Sequence, residues 1–185
     1  MNRYIIRYLL DWKNETHRKP LLVRGARQVG KSFIIDKFAK ENFEHPVTIN
    51  FEQKPQLAAI FDSMDPAKII SQIGLIIGKP LEPGKTILFL DEIQKNPKAI
   101  MALRYFHEQM PELHVIAAGS LLEFALEAEN FSFPVGRVDS LFLHPMSFLE
   151  FLEALGKKNL ADWILSDDGR VPVLAVHEEL MEWIR

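Results

Sequence analysis

Apolar positions along this chain follow two spacings, one typical of helices and one typical of buried strands. The first residues place Tyr4, Tyr8 and Trp12 on one helical face, which predicts an amino-terminal helix over residues 3–13. Short apolar runs rich in strand-forming residues then recur, and such runs are typical of parallel strands that helices cover on both faces. The predicted strands are residues 21–24, 47–51, 86–90, 114–118 and 140–143.

Segments with helical spacing separate these strands. Asp65 and Asn96 each stand directly before a proline, where a helix N-cap is expected. The predicted helices are about 30–42, 66–77 and 97–110. This alternation predicts an α/β fold, a three-layer arrangement in which a parallel five-stranded sheet carries helices on both faces.

The pattern changes after the fifth strand. Ser147 and Glu150 have the spacing of a capping box at a helix start, and helical spacing returns over 176–185. We therefore divide the chain into a core at 1–150 and a helical extension at 151–185. Because the last helix reaches the chain end without a C-cap glycine, we interpret the extension as the start of a longer region.

The segment after the first strand fits the P-loop (Walker A) pattern G-x-x-x-x-G-K-[ST]. Terminal glycines allow the tight bend that turns backbone N–H groups toward phosphate oxygens, and the following helix adds its amino-terminal positive charge. Lys31 is expected to reach the β- and γ-phosphates, and the Ser32 hydroxyl to ligate Mg²⁺. The alternative is a glycine-bearing turn. The predicted nucleotide-binding residues are Gly25, Ala26, Arg27, Gln28, Val29, Gly30, Lys31, Ser32 and Phe33.

Two carboxylates, Asp91 and Glu92, end the third predicted strand in the manner of a Walker B segment. Open α/β sheets place their ligands at the carboxyl ends of their strands. Asp91 is therefore predicted to hold Mg²⁺, directly or through water, and Glu92 to polarise the attacking water. The alternative is that both side chains only cap the following turn.

Composition narrows the classes of protein. The 185 residues are 48% hydrophobic and carry a net charge of −3, so no overall positive charge indicates a nucleic-acid partner. The absence of cysteine excludes disulfides and thiolate zinc sites. No apolar stretch approaches the roughly 18 residues of a membrane span. Because Arg3 and Arg7 interrupt the first apolar residues, we expect no signal-peptide h-region there. We expect a cytoplasmic protein without a membrane partner.

The motifs, together with several further segments, resemble the AAA-superfamily ATPases of bacteria and archaea that are related to archaeal ATPases and signal-transduction NTPases. The resemblance spans nearly the whole chain and implies the AAA-type P-loop fold, with ATP and Mg²⁺ as cofactors. Members usually continue into a C-terminal domain of uncertain role. The segments that carry the resemblance are 24–32, 90–94, 118–120, 134–138 and 143–148.

This resemblance implies roles for two more residues. Ser120 follows the fourth strand, which is expected between the P-loop strand and the strand of Asp91, and its hydroxyl would sense the γ-phosphate or hold the attacking water. Arg137 would act as an arginine finger, within its own chain or in a neighbouring one. The alternatives are a helix cap for Ser120 over 121–128, and an ion pair of Arg137 with Asp139 or Glu129.

Three functions remain open at this stage. The first is a magnesium-dependent ATP hydrolase that couples nucleotide state to a partner, favoured by adjacent Asp91 and Glu92. The second is a P-loop kinase for a small molecule, which needs an acceptor-binding carboxylate after the second strand and an arginine-rich lid. Glu52 supplies the carboxylate, but no segment with several arginines follows it. The third is a nucleotide-gated interaction module without turnover. The sequence does not identify a macromolecular partner, and nucleic acid is suggested by family analogy alone.

Overall fold

The computed structural model describes residues 3–120, 134, 136–166 and 174–183. Residues 3–146 form one compact unit, and the described residues from Ser147 onwards belong to a second. The division at residue 150 that the sequence suggests stays a prediction. Within the described ranges, no helix has the length and apolar character that crossing a membrane requires.

Five parallel strands form the sheet of the first unit. They are β1 (Leu21–Arg24), β2 (His45–Asn50), β3 (Thr86–Asp91), β4 (His114–Ala118) and β5 (Asp139–Phe142). Their spatial order is β2-β3-β4-β1-β5, and every neighbouring pair is parallel. The predicted fold class is thereby confirmed, and β4 lies between β1 and β3 as expected. All carboxyl ends meet at one edge of the sheet, which we call the carboxyl edge; the opposite one is the amino edge.

Helices begin where their capping residues predict. In the first unit they are α1 (Ile5–Asn14), α2 (Lys31–Asn42), α3 (Pro66–Ile77) and α4 (Pro97–Gln109), with 3₁₀ helices at Pro55–Ser63 and Ile93–Lys95. The Asp65 side chain accepts hydrogen bonds from the N–H groups at the start of α3, and the Asn96 side chain accepts one at the start of α4. Both predicted N-caps are confirmed.

Two strands have bounds that differ from the prediction. The fifth strand is predicted over 140–143, and β5 spans Asp139–Phe142. The second strand is predicted over 47–51, and β2 spans His45–Asn50, which includes Pro46. Proline lacks a backbone N–H and is therefore tolerated on an edge strand. Since β2 lies at one end of the strand order, Pro46 does not interrupt the sheet.

Two hydrophobic clusters cover the two faces of the sheet. The side chains of β3 alternate between them: Leu88 and Leu90 join the cluster with α3 and α4, whereas Ile87 and Phe89 join the one with α1 and α2. All six positions of β3 are buried. This double burial explains why the strand is an almost unbroken apolar run in the sequence.

The second unit is helical in its described part. Its helices are α5 (Phe148–Ala154), α6 (Lys158–Leu165) and α7 (Leu174–Glu182). The capping box is confirmed, because Ser147 N–H donates to Glu150 Oε2 at 2.9 Å and Glu150 N–H donates to Ser147 Oγ at 3.2 Å. The helix predicted over 176–185 begins two residues earlier, at Leu174.

Candidate nucleotide-binding site

The P-loop connects β1 to α2 and depends on glycine at both ends. A Cβ atom on Gly25 would lie 2.3 Å from the carbonyl oxygen of Leu143, so no side chain fits there. Gly30 has φ = +90° and is the N-cap of α2. Gln28 also has a positive φ, of +62°, which is uncommon for a residue with a side chain. Where residues with positive φ alternate with residues with negative φ, the backbone forms a concave row of N–H groups that can bind anions.

The Lys31 ammonium lies against the backbone of this loop. Its Nζ donates to the carbonyl oxygens of Gly25, at 2.9 Å, and Ala26, at 2.7 Å. Lys31 is only 7% exposed. Burial lowers the pKa of Lys31, and the neighbouring carboxylates of Glu92 and Asp91 oppose that shift. An ammonium has three donors, so one N–H remains for a further acceptor.

Asp91 is the centre of a hydrogen-bonded cluster at the carboxyl edge. Ser32 Oγ and Glu92 N–H both donate to Asp91 Oδ1 at 3.1 Å, and Asn50 Nδ2 donates to Oδ2 at 2.9 Å. Burial raises the pKa of Asp91, and these donors oppose that rise. Hydroxyl and carboxylate oxygens are the ligands that Mg²⁺ prefers, so Ser32 and Asp91 fit a magnesium site.

Asn50 is a site residue that sequence reasoning missed. Its Oδ1 accepts from the N–H groups of Glu52 and Gln53, at 3.0 and 2.9 Å, which fixes the turn after β2. Asn50 and Asp91 are register partners in neighbouring strands. The available signal was positional, because each is the polar residue at the carboxyl end of its strand.

Glu92 occupies a strained backbone conformation. Its φ is +52°, and its carboxylate accepts a hydrogen bond from Gln94 Nε2. The Gln94 Oε1 atom is buried and has no hydrogen-bond partner within residues 3–120 or the other described ranges. Left-handed conformations of residues with side chains persist where the surrounding structure fixes them, and they are enriched at functional sites.

A polar cleft of about 390 Å³ joins these elements. Ser120 lies in it beside the P-loop, and its Oγ is buried without a partner in the described structure. Phe33 is 64% exposed at the same cleft. The helix that Ser120 would alternatively cap, 121–128, lies outside the described residues. The lining residues are Arg27, Gln28, Gly30, Lys31, Ser32, Phe33, Glu52, Glu92 and Ser120.

Arg137 does not lie in this cleft. It precedes β5, whose first residue Asp139 pairs with Leu21 at the start of β1, so it belongs to the amino edge. Four strand residues, about 13 Å, separate that level from the P-loop. The half-exposed Arg137 donates instead to Glu108 near the end of α4, at 3.0 Å. A finger role within the same chain is inconsistent with this position, and a role in a neighbouring chain stays a prediction. Of the two alternative ion-pair partners, Asp139 is not the one observed, and Glu129 lies outside the described residues.

The fold and the cleft define a class of protein. A parallel sheet with β4 between the P-loop strand and the Asp-Glu strand is the core of a P-loop ATPase fold. A family model described as an AAA domain matches residues 17–152, and this chain belongs to that family.

Two solved structures show the same fold. A Walker-type ATPase of Pyrococcus abyssi is 17% identical with a TM-score of 0.53, and the match covers 89% of this chain and 62% of that one. The ORC1 protein of Aeropyrum pernix, solved in complex with DNA, is 14% identical with a TM-score of 0.51, over 90% of this chain and 56% of that one. This chain thus spans about three fifths of the length of these relatives. Among curated proteins, no match was found.

Proposed function

We propose that this chain binds ATP with Mg²⁺ and hydrolyses the nucleotide, so that nucleotide state is coupled to a partner. The observation that carries the proposal is the placement of Lys31, Ser32 and Glu92 around one cleft, with Asp91 hydrogen-bonded to Ser32. A cation, a hydroxyl–carboxylate pair and a second carboxylate are the groups that phosphoryl transfer to water requires.

Each residue has a distinct role in this proposal. The P-loop N–H groups and Lys31 bind phosphate oxygens, while Ser32 and Asp91 would hold Mg²⁺, which when bound neutralises phosphate charge. Glu92 orients the attacking water and accepts its proton. Ser120 contributes a hydroxyl that has no partner in the described structure and is therefore available to a phosphate or a water.

Arg137 completes the proposal only in an assembly. It is half exposed at the amino edge, far from its own P-loop, so an arginine finger at this position would serve the cleft of a neighbouring chain. The macromolecular partner stays unassigned. One solved relative is bound to DNA, but a net charge of −3 gives this chain no overall attraction to nucleic acid. The cytoplasmic location expected from the sequence stays a prediction.

A small-molecule kinase is the second candidate, because Glu52 lines the cleft where an acceptor-binding carboxylate would be needed. Incubation with ATP and a panel of nucleosides, followed by product analysis, distinguishes the two candidates. Phosphorylated nucleosides would support the kinase. Formation of ADP and free phosphate without phosphorylated nucleoside would support the hydrolase.

Calorimetric titration with ATP and Mg²⁺ tests the site directly. Lys31→Ala is expected to weaken binding about 100-fold, because charge-assisted contacts to phosphate are lost. Lys40→Ala is the matched control, since Lys40 lies on the same helix but pairs with Asp36 at the surface. Equal affinity of wild type and Lys31→Ala would refute the assignment.

Phosphate release tests the chemistry. Glu92→Gln keeps the shape of the side chain and removes its negative charge, so turnover is expected to fall by about two to four orders of magnitude while ATP still binds. Tight binding without turnover in the wild type would favour the nucleotide-gated module instead.

A further inference from the structure

Arg3 is a buried arginine that the proposed reaction does not use. It is only 7% exposed, just before α1. Burial of a guanidinium group costs several kcal/mol unless its N–H groups find acceptors. Two acceptors come from distant parts of the chain: Nη2 donates to the carbonyl oxygen of His144 at 2.8 Å, and Nη1 to that of Val29 at 3.3 Å.

The contact with Val29 fixes one peptide group inside the P-loop. In a planar trans peptide the C=O and N–H point to opposite sides, so holding the Val29 carbonyl also sets the direction of the Gly30 N–H. Glycine tolerates both signs of φ, so a flip of this peptide has little steric cost at Gly30. A donor on the Val29 carbonyl is therefore what selects the observed φ of +90°.

The contact with His144 connects the same guanidinium to a segment that already supports the loop. Leu143 N–H donates to the Arg24 carbonyl at 2.8 Å, and the Leu143 carbonyl oxygen lies so close to Gly25 that no side chain fits there. Residues 143–144 thus contact the first glycine of the P-loop directly and its fifth residue through Arg3. Both ends of the loop are anchored to one backbone segment.

We propose that Arg3 is a positioning residue for the phosphate-binding loop, which holds the Val29–Gly30 peptide so that the Gly30 N–H is directed to phosphate. The role rests on the proposed ATP site, and Arg3 itself does not touch the nucleotide. Because a guanidinium fork serves two carbonyl oxygens at fixed angles, lysine at this position would replace it only in part.

Titrations with ATP and with inorganic pyrophosphate test this role. Arg3→Ala is expected to weaken the binding of ATP and of pyrophosphate by the same factor, about 10- to 100-fold. The factor is the same because the affected contacts are those between the loop and phosphate, and not contacts with adenine. Arg3→Lys is expected to fall between Arg3→Ala and wild type. Arg7→Ala is the matched control, because Arg7 is an exposed arginine of α1, four residues after Arg3, and this variant should bind both ligands like wild type.

All titrations are made well below the melting temperature of each variant, so that a stability defect alone leaves the affinity of the folded protein unchanged. Wild-type affinity in Arg3→Ala, with affinity lost in Lys31→Ala, would overturn this inference and leave the ATP site intact. If Arg3→Ala does not fold, Arg3→Lys decides, and wild-type affinity in that variant would overturn the inference.

A crystal structure of a nucleotide-free variant gives a readout that does not depend on ATP binding. In Arg3→Ala, or in Arg3→Lys if the first does not fold, the Val29–Gly30 peptide is expected to reorient or to occupy two orientations. An unchanged peptide would overturn the proposal, even if the wild type proved not to bind ATP. Failure of the wild type to bind ATP, with a reoriented peptide in the variant, would refute the proposed function alone.

Discussion

The carboxyl and amino edges of the sheet are made from the same strands but differ in backbone strain and in the contacts of their charged groups. At the carboxyl edge, Gln28 and Glu92 have positive φ, and the charged side chains of Lys31 and Asp91 are buried beside the cleft. At the amino edge, cations donate to backbone carbonyls and aromatic rings pack edge to face. Those contacts are Lys13 to Asn42, Arg18 to Pro111 and Glu112, and Trp12 against His114.

We infer from this difference that the carboxyl edge contributes mainly to ligand binding and the amino edge mainly to stability. Strained backbone and buried charge are maintained where the chain must meet an anionic ligand, whereas the opposite edge uses its polar groups to join helices, strands and loops. We therefore expect substitutions at the carboxyl edge to change nucleotide binding and turnover. Substitutions at the amino edge should change the free energy of unfolding. Arg137 is the expected exception.

Arg137 is the amino-edge residue whose replacement we expect to affect turnover most strongly. Arg137→Ala removes an amino-edge side chain, yet turnover should fall about 1000-fold with little change in ATP affinity, because a finger arginine stabilises the transition state. Turnover per chain should also rise with protein concentration. Mixing Arg137→Ala with Glu92→Gln chains should restore some phosphate release, since an intact arginine on one chain then reaches an intact base on another.

Arg104→Ala is the control for that experiment. Arg104 shares the Glu108 carboxylate with Arg137, at 2.9 Å, so it perturbs the same ion pair without removing the proposed finger. Full activity of Arg137→Ala at a concentration where the wild type turns over would assign Arg137 to the fold alone.

His114, the first residue of β4 at the amino edge, should make the stability of the protein sensitive to acid. Burial, with a smaller contribution from Arg18, lowers the pKa of His114 to about 4, below its usual 6.5. The unfolded chain therefore binds a proton between pH 6.5 and 4 that the folded chain does not, so stability should fall across this window as pH falls. The loss approaches about 3 kcal/mol. Denaturant titrations at pH 7 and pH 4.5 measure it.

Replacing His114 tests whether this residue causes the acid sensitivity. His114→Gln should show a smaller drop in unfolding free energy over the same window, whereas His177→Gln, at an exposed position, should behave like wild type. Equal drops in the wild type and His114→Gln would show that other groups cause the acid sensitivity.

Asn50→Ala tests the cluster around Asp91. The Asn50 hydrogen bond lowers the pKa of Asp91, so its loss should raise that pKa further. Magnesium-dependent ATP binding should then weaken about tenfold and decline at a higher pH than in the wild type, because the protonated carboxyl does not bind a cation. Asn42→Ala, at the end of α2, is the control. An identical pH profile in both variants would exclude Asn50 from the site.

The smallest expected effect concerns strain at Gln28. Gln28→Gly should leave the free energy of unfolding within about 1 kcal/mol of wild type, because relief of the positive φ offsets the added chain entropy. Gln28→Val should lower it by about 1–2 kcal/mol, since a β-branched residue is disfavoured there. Arg27→Val is the neighbouring control, at a residue without positive φ. Equal stability of both valine variants would show that the conformation at Gln28 is not strained.

Local signals in the sequence predicted much of the fold. The buried strands, the Asp65 and Asn96 caps and the Ser147 capping box each depend on residues a few positions apart, and all were found. The P-loop was recognisable for the same reason, because its glycines, lysine and serine act within one turn of backbone. The start of β2 at His45 was not predicted, because whether a strand tolerates Pro46 depends on the position of that strand in the sheet.

Local spacing in the sequence was therefore enough to predict the order of strands and helices, the phosphate-binding motif and the class of the fold, but not every strand boundary. The contacts between distant residues follow only from the three-dimensional arrangement: Asn50 lies beside Asp91, Arg3 donates to the Val29 carbonyl, and Arg137 lies at the opposite edge, away from the motif. The physical reason is that these contacts depend on strand order and register, which bring together residues up to 141 positions apart. Spacing along the chain contains no information about such distances until the sheet is formed.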